Sequence, residues 1–479
     1  MSFFSSSTSA ESFWQVVGQR AALCGVILLL VLCFLTHGGV GHDSWRGIQF
    51  AMCGLLGAWA MVQYLLGRLE ELPRLCWGVL ALFLGITVFT GLQLLPLPRG
   101  LVTAISPPWA ESMREMEALG LPTPDWIPLA HSPARGLLSW HQMVACTLFW
   151  FGLFPFLKSR TAMRYLLRIL LTAGVVEAVW GLVIFASMGK IDRVYGALLN
   201  PNHHAALLLL VMPLWIATLI RWQQKHFGSP WAFLQGNNSG TLAFFLLLLM
   251  VLSWGLSLSR GSLVIGLVGM MIWAVGEYRV WRKGHDFEGT YWTEKRAALV
   301  GIVALLAMLL IVPSFLQTTR VVERFGERVE EGSLWDTNRV ELSRATLEAL
   351  ADSPLFGLGP AGANHAINRF ERTDSTKKAI WTHNDPVQLV AELGILGTLV
   401  GLWFLIRLVP DLREWFQLHF REAGWSNRLI PRAALVAFVL VLIHSLVEFH
   451  LRTPLMGYCV LLVLGILLAP GTLKHSSRS

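Results

Sequence analysis

The segment THNDP, Thr382 to Pro386, places a group of polar residues directly before an apolar run. The run starts at Val387 and reads VQLVAELGILG, which is typical of a membrane helix. A neutral imidazole takes up a proton near pH 7, as a general base must. The sequence therefore predicts His383 as a catalytic base at the entrance to the membrane, with Asn384 as a supporting residue beside it.

Two arginines indicate a second kind of chemistry, the binding of phosphate. Arg193 opens the segment RVYGALLNPNHHAALLLL, and Arg260 lies in SLSRGSLV. Each segment leads into an apolar run, whose helical N-terminus would offer unpaired N–H groups and a partial positive charge. The planar guanidinium group also suits phosphate oxygens. We expect an anion site for a phosphate or pyrophosphate; the alternative is that these arginines contact lipid headgroups.

The helix starts themselves carry local signals. Asn200-Pro201 and Asp385-Pro386 each have the pattern of an N-cap followed by proline in the first turn. Directly after the first of these pairs come Asn202, His203 and His204. For the two histidines the sequence leaves two alternatives open, participation in the chemistry or an interfacial position without chemistry.

Three acids lie inside apolar runs, namely Glu177, Glu392 and Glu448. A charge in hydrocarbon costs several kcal/mol, so we expect all three to face the protein interior or a wet cavity. Glu392 lies roughly 9 Å along the helix from Pro386, where it would orient a partner or form a structural hydrogen bond. In HSLVEFHLR, His444 and Glu448 are four residues apart, which predicts a pair on one helix face.

The composition identifies the environment of these residues. Hydrophobic residues make up 54% of the 479 and charged residues only 14%, far below the roughly one quarter of a soluble domain. The 6 cysteines have no CxxC spacing, so neither a disulfide framework nor a zinc site is indicated. A net charge of +8 would suggest nucleic acid in a soluble protein, but loop charges explain it here. We predict a single all-α polytopic membrane domain over 1–479 and no nucleic-acid partner.

Apolar runs of about 20 residues, long enough to cross the hydrocarbon, recur along the chain. The first run has no cleavage site after it and is interpreted as a retained span. No internal repeat of the kind that many transporters use is visible. We predict twelve transmembrane helices, near 19–36, 47–66, 75–96, 136–156, 165–187, 203–221, 242–258, 262–279, 297–315, 387–408, 433–451 and 454–469.

Loop charges predict the orientation. With the N-terminus in the cytoplasm, more than half of the 38 lysines and arginines lie on the inner side. Two long outer loops remain, a proline-rich one at 97–135 and a charged one at 316–382, partly helical around Asp336 to Asp352. Both termini are then cytoplasmic, and the segments of Arg193, Arg260 and His383 share the outer face. The few cations of the short outer segments are Arg46, Lys190, Arg193, Arg260 and Arg452.

These motifs, in this order, resemble the O-antigen ligase and O-antigen polymerase superfamily of bacterial membrane glycosyltransferases. The resemblance covers about 165–460 and is strongest in NPNHHAALLLLVMPL, SLSRGSLV, NRVELSRATLEALADSPLFGLGPAG, THNDPVQLVAELGILG and HSLVEFHLRTP. It implies a GT-C-like fold in the bacterial inner membrane, with the active site on the periplasmic face and a large external loop between helices 9 and 10. It also implies that the protein uses no metal or other cofactor.

The resemblance also implies substrates and residue roles. The donor would be a glycan on undecaprenyl pyrophosphate, and the acceptor another glycan, lipid A core or a protein hydroxyl. Membrane lipids surround the enzyme, and a flippase and a chain-length regulator are expected partners. Arg193 and Arg260 would hold the donor pyrophosphate, and His383 would deprotonate the acceptor. Supporting positions are Asn202, His203, Arg339, Asn384, Glu392 and Glu448.

Two functions from other classes remain open at this point. A small-anion transporter, for example of bicarbonate, predicts polar residues that continue through the midplane to the inner face. A non-catalytic scaffold of a polysaccharide secretion complex would tolerate the loss of His383. Within the enzyme class, the sequence does not separate O-antigen or exopolysaccharide polymerases from ligases.

Overall fold

A computed structural model describes residues 7–39, 43–188, 193–227, 238–283, 337–363, 367, 381–420 and 425–469. The predicted span at 297–315 and most of the loop at 316–382 lie outside these residues. The helices are α1 (Ser7–Leu35), α2 (Asp43–Leu65), α3 (Arg74–Leu94), α4 (Arg99–Ile105), α5 (Pro107–Ala118), α6 (Pro133–Leu157), α7 (Arg160–Met188), α8 (Pro201–Phe227), α9 (Asn238–Leu256), α10 (Arg260–Lys283), α11 (Thr337–Asp352), α12 (Asp385–Phe420), α13 (Trp425–His444) and α14 (Pro454–Leu468).

In the described ranges eight helices are long and apolar enough to cross a membrane: α1, α2, α3, α6, α7, α8, α10 and α12. Two further apolar helices, Gly240–Leu256 within α9 and Pro454–Leu468 (α14), are shorter. The prediction of an all-α polytopic membrane protein is confirmed in this coarse form. Twelve crossings remain a prediction.

Helix α8 forms the centre of the bundle. Its segment from Ala205 to Met212 is apolar on every face of the helix and is at most 2% exposed at any position. A helix that is apolar all round must be surrounded by protein or lipid, and here its neighbours are α7, α9, α10, α13 and α14. The N-terminal turn of α8, which carries the polar motif, is thereby fixed at one end of the bundle.

Glycines allow α3 and α12 to approach closely. A Cβ atom on Gly85 would lie 2.7 Å from the ring of Phe404, and one on Gly397 would lie 2.6 Å from Phe89. Gly397 and Gly401 have the spacing of a GxxxG motif, but a Cβ atom on Gly401 would meet nothing within 4 Å. Only the first glycine of that pair serves helix packing.

Helix α12 is interrupted at Gly394, whose φ of 65° and ψ of −173° are not helical. The loop 354–359 supplies the hydrogen bonds that the interruption removes. Leu358 N–H donates to the carbonyl of Ala391 at 2.9 Å, and Ile395 N–H donates to the carbonyl of Pro354 at 2.8 Å. The loop and the helix thus complete each other's backbone hydrogen bonding, which buried peptide groups require.

The proline-rich segment 97–135 is folded and lies against the loop after α11. Strands β1 (Leu97–Pro98) and β2 (Trp126–Ile127) pair antiparallel, and α4 and α5 lie between them. His131 N–H donates to the carbonyl of Leu358 at 3.0 Å. The described parts of the two predicted long loops therefore lie at the same end of the bundle.

One predicted span is too long at its C-terminal end. The apolar run 433–451 suggests a helix through Glu448, but α13 ends at His444, and a turn leads to a 3₁₀ helix at His450–Arg452. The prediction that His444 and Glu448 share one helix face is therefore wrong. Glu448 lies in an irregular segment, where its carboxylate contacts several other elements.

Candidate active site

The carboxylate of Glu448 connects three of the predicted site residues. Its Oε1 lies 2.6 Å from Nδ1 of His383, and its Oε2 accepts hydrogen bonds from Nδ2 of Asn202 at 2.5 Å and Nη2 of Arg339 at 3.1 Å. The side chain of Glu448 is fully buried, whereas that of His383 is 29% exposed. A buried acceptor thus holds a histidine that remains accessible.

This contact determines which nitrogen of His383 can act as a base. Ionised Glu448 can only accept hydrogen bonds, so Nδ1 of His383 must carry the proton between them. The lone pair of the neutral ring is then on Nε2. Burial alone would raise the pKa of Glu448, but the hydrogen bond from His383 and the charge of Arg339 lower that pKa to about 2. Glu448 is therefore ionised at any ordinary working pH.

Asn202 links Glu448 to the first predicted phosphate-binding arginine. While its amide nitrogen donates to Glu448, its Oδ1 accepts a hydrogen bond from Nη2 of Arg193 at 3.0 Å. Nε of Arg193 donates to the carbonyl of Ser257 at 2.7 Å. The guanidinium group is thereby fixed between the start of α8 and the turn before α10.

Arg339 enters the same cluster from α11. It donates to Glu448 and to the carbonyl of the preceding residue, Val447. The resemblance assigned Arg339 only a supporting position, yet its guanidinium group contacts the central carboxylate directly. Helix α11, a part of the predicted outer loop, thus belongs to the site and not to a separate surface.

Arg260 is the first residue of α10, and its turn borders the cluster. A Cβ atom on the neighbouring Gly261 would lie 3.1 Å from Cγ2 of Val447, next to Glu448. The turn is fixed from the other side by Arg193 through the carbonyl of Ser257. Both predicted phosphate-binding arginines therefore lie beside the Glu448 cluster.

Three helices that start at the cluster share an unusual backbone feature. Leu199, Leu258 and His383 have left-handed φ angles of 55°, 50° and 55°, each two positions before the first residue of α8, α10 or α12. Such angles cost a non-glycine residue on the order of 1 kcal/mol or more and occur preferentially at functional sites. A left-handed turn therefore immediately precedes each of these helix N-termini.

The two predicted N-caps have different outcomes. Asn200 caps α8 as expected, because its Oδ1 accepts from Asn202 N–H at 2.9 Å. At α12 the prediction of Asp385 is wrong. Asn384 is the cap, and its Oδ1 accepts from Val387 N–H at 3.1 Å. Asp385 instead accepts from Leu451 N–H at 3.1 Å, which ties α12 to the segment after Glu448.

Glu392 lies in a second polar layer that does not include His383. Its carboxylate accepts from Nη1 of Arg452 at 2.7 Å and from Nε2 of Gln388 at 2.8 Å, and it is 1% exposed. Arg452 also faces Asp385 at 3.5 Å. Of the two alternatives for Glu392, the geometry favours the structural one, because it anchors the segment that carries Glu448.

The adjacent histidines of α8 have separate environments, and both are buried within the protein. His204 is fully buried between Glu177 at 2.8 Å and Oγ of Ser253 at 3.0 Å. Its ring is thus a hydrogen-bonding partner for Glu177, the acid that we expected to face the interior. His203 is 6% exposed, and its Nδ1 lies 3.1 Å from Oγ1 of Thr453. His203 therefore lies next to the site and His204 below it.

An aromatic cluster adjoins His383. The ring of Phe449 has His383 and His203 edge-on against it, each with a centroid distance of 4.7 Å. Trp381 stacks on the same ring at 5.5 Å and an interplanar angle of 15°. Phe449 thus packs against the ring of His383 and restricts its orientation.

Comparison with known protein families gives one match. Residues 245–402, about a third of the chain, match the family model described as O-antigen ligase. This match supports the resemblance that the motifs show to the O-antigen ligase and polymerase superfamily. It indicates a glycosyltransferase-like membrane enzyme of polysaccharide biosynthesis. No curated protein matches the chain.

The family match covers only part of the cluster. Arg260, Arg339, His383, Asn384 and Glu392 lie inside the matched residues. The remaining predicted site residues lie outside them, so the structure alone connects them to His383: Arg193, Asn202, His203 and Glu448. In the part of the chain that the structure describes, no group of three or more histidine, cysteine or acidic residues could hold a metal ion.

Proposed function

We propose that this protein transfers a glycan from undecaprenyl pyrophosphate to an acceptor hydroxyl at the periplasmic face of the bacterial inner membrane, in O-antigen or exopolysaccharide synthesis. The observation that carries the proposal is the contact between Nδ1 of His383 and the buried Glu448, with Arg339 and the Asn202–Arg193 pair on the same carboxylate. A base and a set of cations at one mouth of an apolar bundle suit a donor with an anionic centre and a lipid tail.

The reaction follows from the roles of these groups. Nε2 of His383 removes the proton of the acceptor hydroxyl while the acceptor oxygen forms a bond to the anomeric carbon of the donor sugar. The bond from that carbon to the pyrophosphate oxygen breaks, and the electron pair leaves with the lipid pyrophosphate. Arg193, Arg260 and the N-termini of α8 and α10 stabilise the negative charge that develops there.

Glu448 positions the base and stabilises it after the proton transfer. Its negative charge favours the protonated imidazole, so the proton taken from the acceptor is held until the product leaves. Arg339 balances the buried charge of Glu448, which would otherwise be costly. The same carboxylate, through Asn202, holds Arg193 on the donor side, so base and phosphate site are built as one unit.

The location of the polar network argues against a transporter of small anions. The charged side chains around His383 meet where α8, α10 and α12 begin, at one end of the bundle. The buried polar pair below them, Glu177 with His204, is fully inaccessible and is satisfied by Ser253 and Ala197 N–H. It serves as a structural link between α7, α8 and α9 and offers no exposed ion position.

Reconstitution tests this function directly. Purified protein in liposomes is supplied with glycolipids extracted from the producing cells, which contain the native donor and acceptor. We expect glycan transfer with release of one polyprenyl pyrophosphate for each bond formed. Accumulation of labelled bicarbonate inside the liposomes without glycan transfer would favour the transporter, and neither activity would favour the scaffold.

A further inference from the structure

We infer that Trp381, together with Phe449 and His203, forms a subsite that binds one sugar ring of the substrate beside the base. The inference rests on the proposed function, because it assigns a place to the glycan that the reaction requires. Its ligand is a pyranose ring, which has an apolar C–H face and a rim of hydroxyl groups.

The aromatic face comes from Trp381. Phe449 lies against one side of its indole in a near-parallel stack, with an interplanar angle of 15°, and the indole is half-buried. Stacking on a second ring holds the indole plane in one orientation. The side chain therefore loses less conformational entropy when a ligand binds. Such a rigid, partly accessible ring is the kind of group that covers the apolar face of a ligand.

Two polar atoms at this cluster have no partner that the structure describes. Within the described residues, Trp381 stacks on Phe449, and its indole N–H has no hydrogen-bond partner. In the same part of the chain, Nε2 of His203 also lacks one, although it is buried. Leaving a buried polar atom such as Nε2 of His203 unpaired is unfavourable. Sugar hydroxyls both donate and accept, so a bound pyranose would satisfy both nitrogens.

The position of the cluster connects it to the chemistry. Both Trp381 and His383 contact Phe449, at centroid distances of 5.5 and 4.7 Å, so the indole and the base belong to one cluster of rings. Trp381 precedes His383 by two residues in an irregular segment that bends at both positions. A sugar on the indole would therefore present its hydroxyls or its anomeric carbon to Nε2 of His383.

Two substitutions test the subsite, with a matched control. Trp381→Ala removes the ring and the N–H, and His203→Phe keeps the ring contact with Phe449 but removes Nε2. Trp126→Ala is the control, because Trp126 is 62% exposed and belongs to strand β2, which carries none of the cluster residues. The probe is the glycolipid extract of the producing cells, titrated in the liposome assay.

We expect Trp381→Ala to raise the extract concentration for half-maximal rate about five- to tenfold, the range of aromatic contacts, and to change the maximal rate less. His203→Phe should also raise the extract concentration for half-maximal rate, and Trp126→Ala should leave it unchanged. Unchanged concentration dependence in Trp381→Ala, in an active preparation, would overturn the inference. So would a loss of maximal rate alone, which would indicate a purely structural tryptophan.

Direct binding separates this inference from the proposed function. Retention of the radiolabelled lipid-linked glycan on the purified protein needs no catalysis. Weaker retention in Trp381→Ala assigns the subsite to a donor sugar, whereas unchanged retention with a shifted titration assigns it to the acceptor. If wild type transfers no glycan, the proposed function fails, and equal retention by wild type and Trp381→Ala then overturns the subsite too.

Discussion

The proposed role of His383 as a base rests on one contact, the hydrogen bond from its Nδ1 to Glu448. The contact fixes the tautomer and leaves Nε2 to accept a proton. The sequence shows His383, its polar neighbours and Glu448. It does not show that Glu448, 65 positions later, is the partner of His383. That pairing depends on the end of α13 at His444, which the apolar pattern conceals.

Glu448→Gln tests the orienting role. The amide keeps the size of the side chain but can donate to Nδ1, which would shift the proton of His383 to Nε2 and block its lone pair. We expect the maximal transfer rate to fall by roughly 10²- to 10⁴-fold, the usual contribution of a positioned base, with folded protein in the membrane. Rate and membrane abundance are measured together.

The control for Glu448→Gln is Glu117→Gln, which removes a carboxylate from the exposed pair with Arg99. An exposed pair contributes little to stability, so this variant should have wild-type turnover. Equal turnover of Glu448→Gln and Glu117→Gln would refute the orienting role.

Arg260→Lys tests the phosphate site. Lysine preserves the charge but loses the planar fork that binds two oxygens of one phosphate. We expect clearly reduced donor affinity and turnover, measured as retention of the labelled donor and as initial rate. Wild-type behaviour in both would make Arg260 a lipid-anchoring residue.

At the scale of elements, the break of α12 at Gly394 explains how an outer loop reaches the site. The sequence pattern ELGILG indicates a continuous apolar helix, and a single glycine inside it gives no sign of a break. The break appears only because loop 354–359 supplies the missing hydrogen bonds. Long-range backbone pairing of this kind leaves no periodic trace in the sequence.

Gly394→Ala should disrupt this junction. A Cβ atom there would lie 2.3 Å from the backbone nitrogen of Gly357, and the φ of 65° is unfavourable for alanine. We expect a loss of stability of at least about 1–3 kcal/mol and detachment of the loop, measured as a lower thermal midpoint and faster proteolysis between α11 and α12.

The matched control for Gly394→Ala is Gly401→Ala. Gly401 lies seven residues later in the same helix, and a Cβ atom on it would meet nothing within 4 Å. Alanine favours the helix there by about 1 kcal/mol, so the thermal midpoint should stay equal or rise. A Gly394→Ala variant as stable as Gly401→Ala would show that the break is not required.

The whole molecule combines an apolar bundle with a polar cluster at one end, around Glu448, His383 and Arg193. We call this end of the bundle the mouth. Composition and apolar runs predict the bundle well, because α8 and its neighbours are long and uniformly apolar. They predict the mouth only as separate motifs, since Arg193, Arg339 and Glu448 come from distant parts of the chain. Their assembly depends on tertiary contacts through side chains such as Asn202, which a single sequence does not reveal.

Orientation is the prediction at this scale. Loop charges place the N-terminus in the cytoplasm, which makes the mouth periplasmic. In cells with intact membranes, an impermeant thiol reagent should label Leu121→Cys, in the segment beside the mouth, and should label Glu71→Cys only after permeabilisation. Leu121 is 50% exposed and the side chain of Glu71 81% exposed, so both positions are accessible. The reverse labelling pattern would place the site in the cytoplasm.

The central claim is that His383 removes the acceptor proton, and single-turnover transfer by His383→Ala tests it most directly. Donor is first bound to the reconstituted protein, and bond formation is followed after acceptor is added; His226→Ala, at the far end of α8, is the control. We expect the chemical step to slow by roughly 10²- to 10⁴-fold while donor binding persists, because Arg193 and Arg260 remain. His383→Ala protein that is stable in the membrane and transfers glycan at the wild-type rate would contradict the claim.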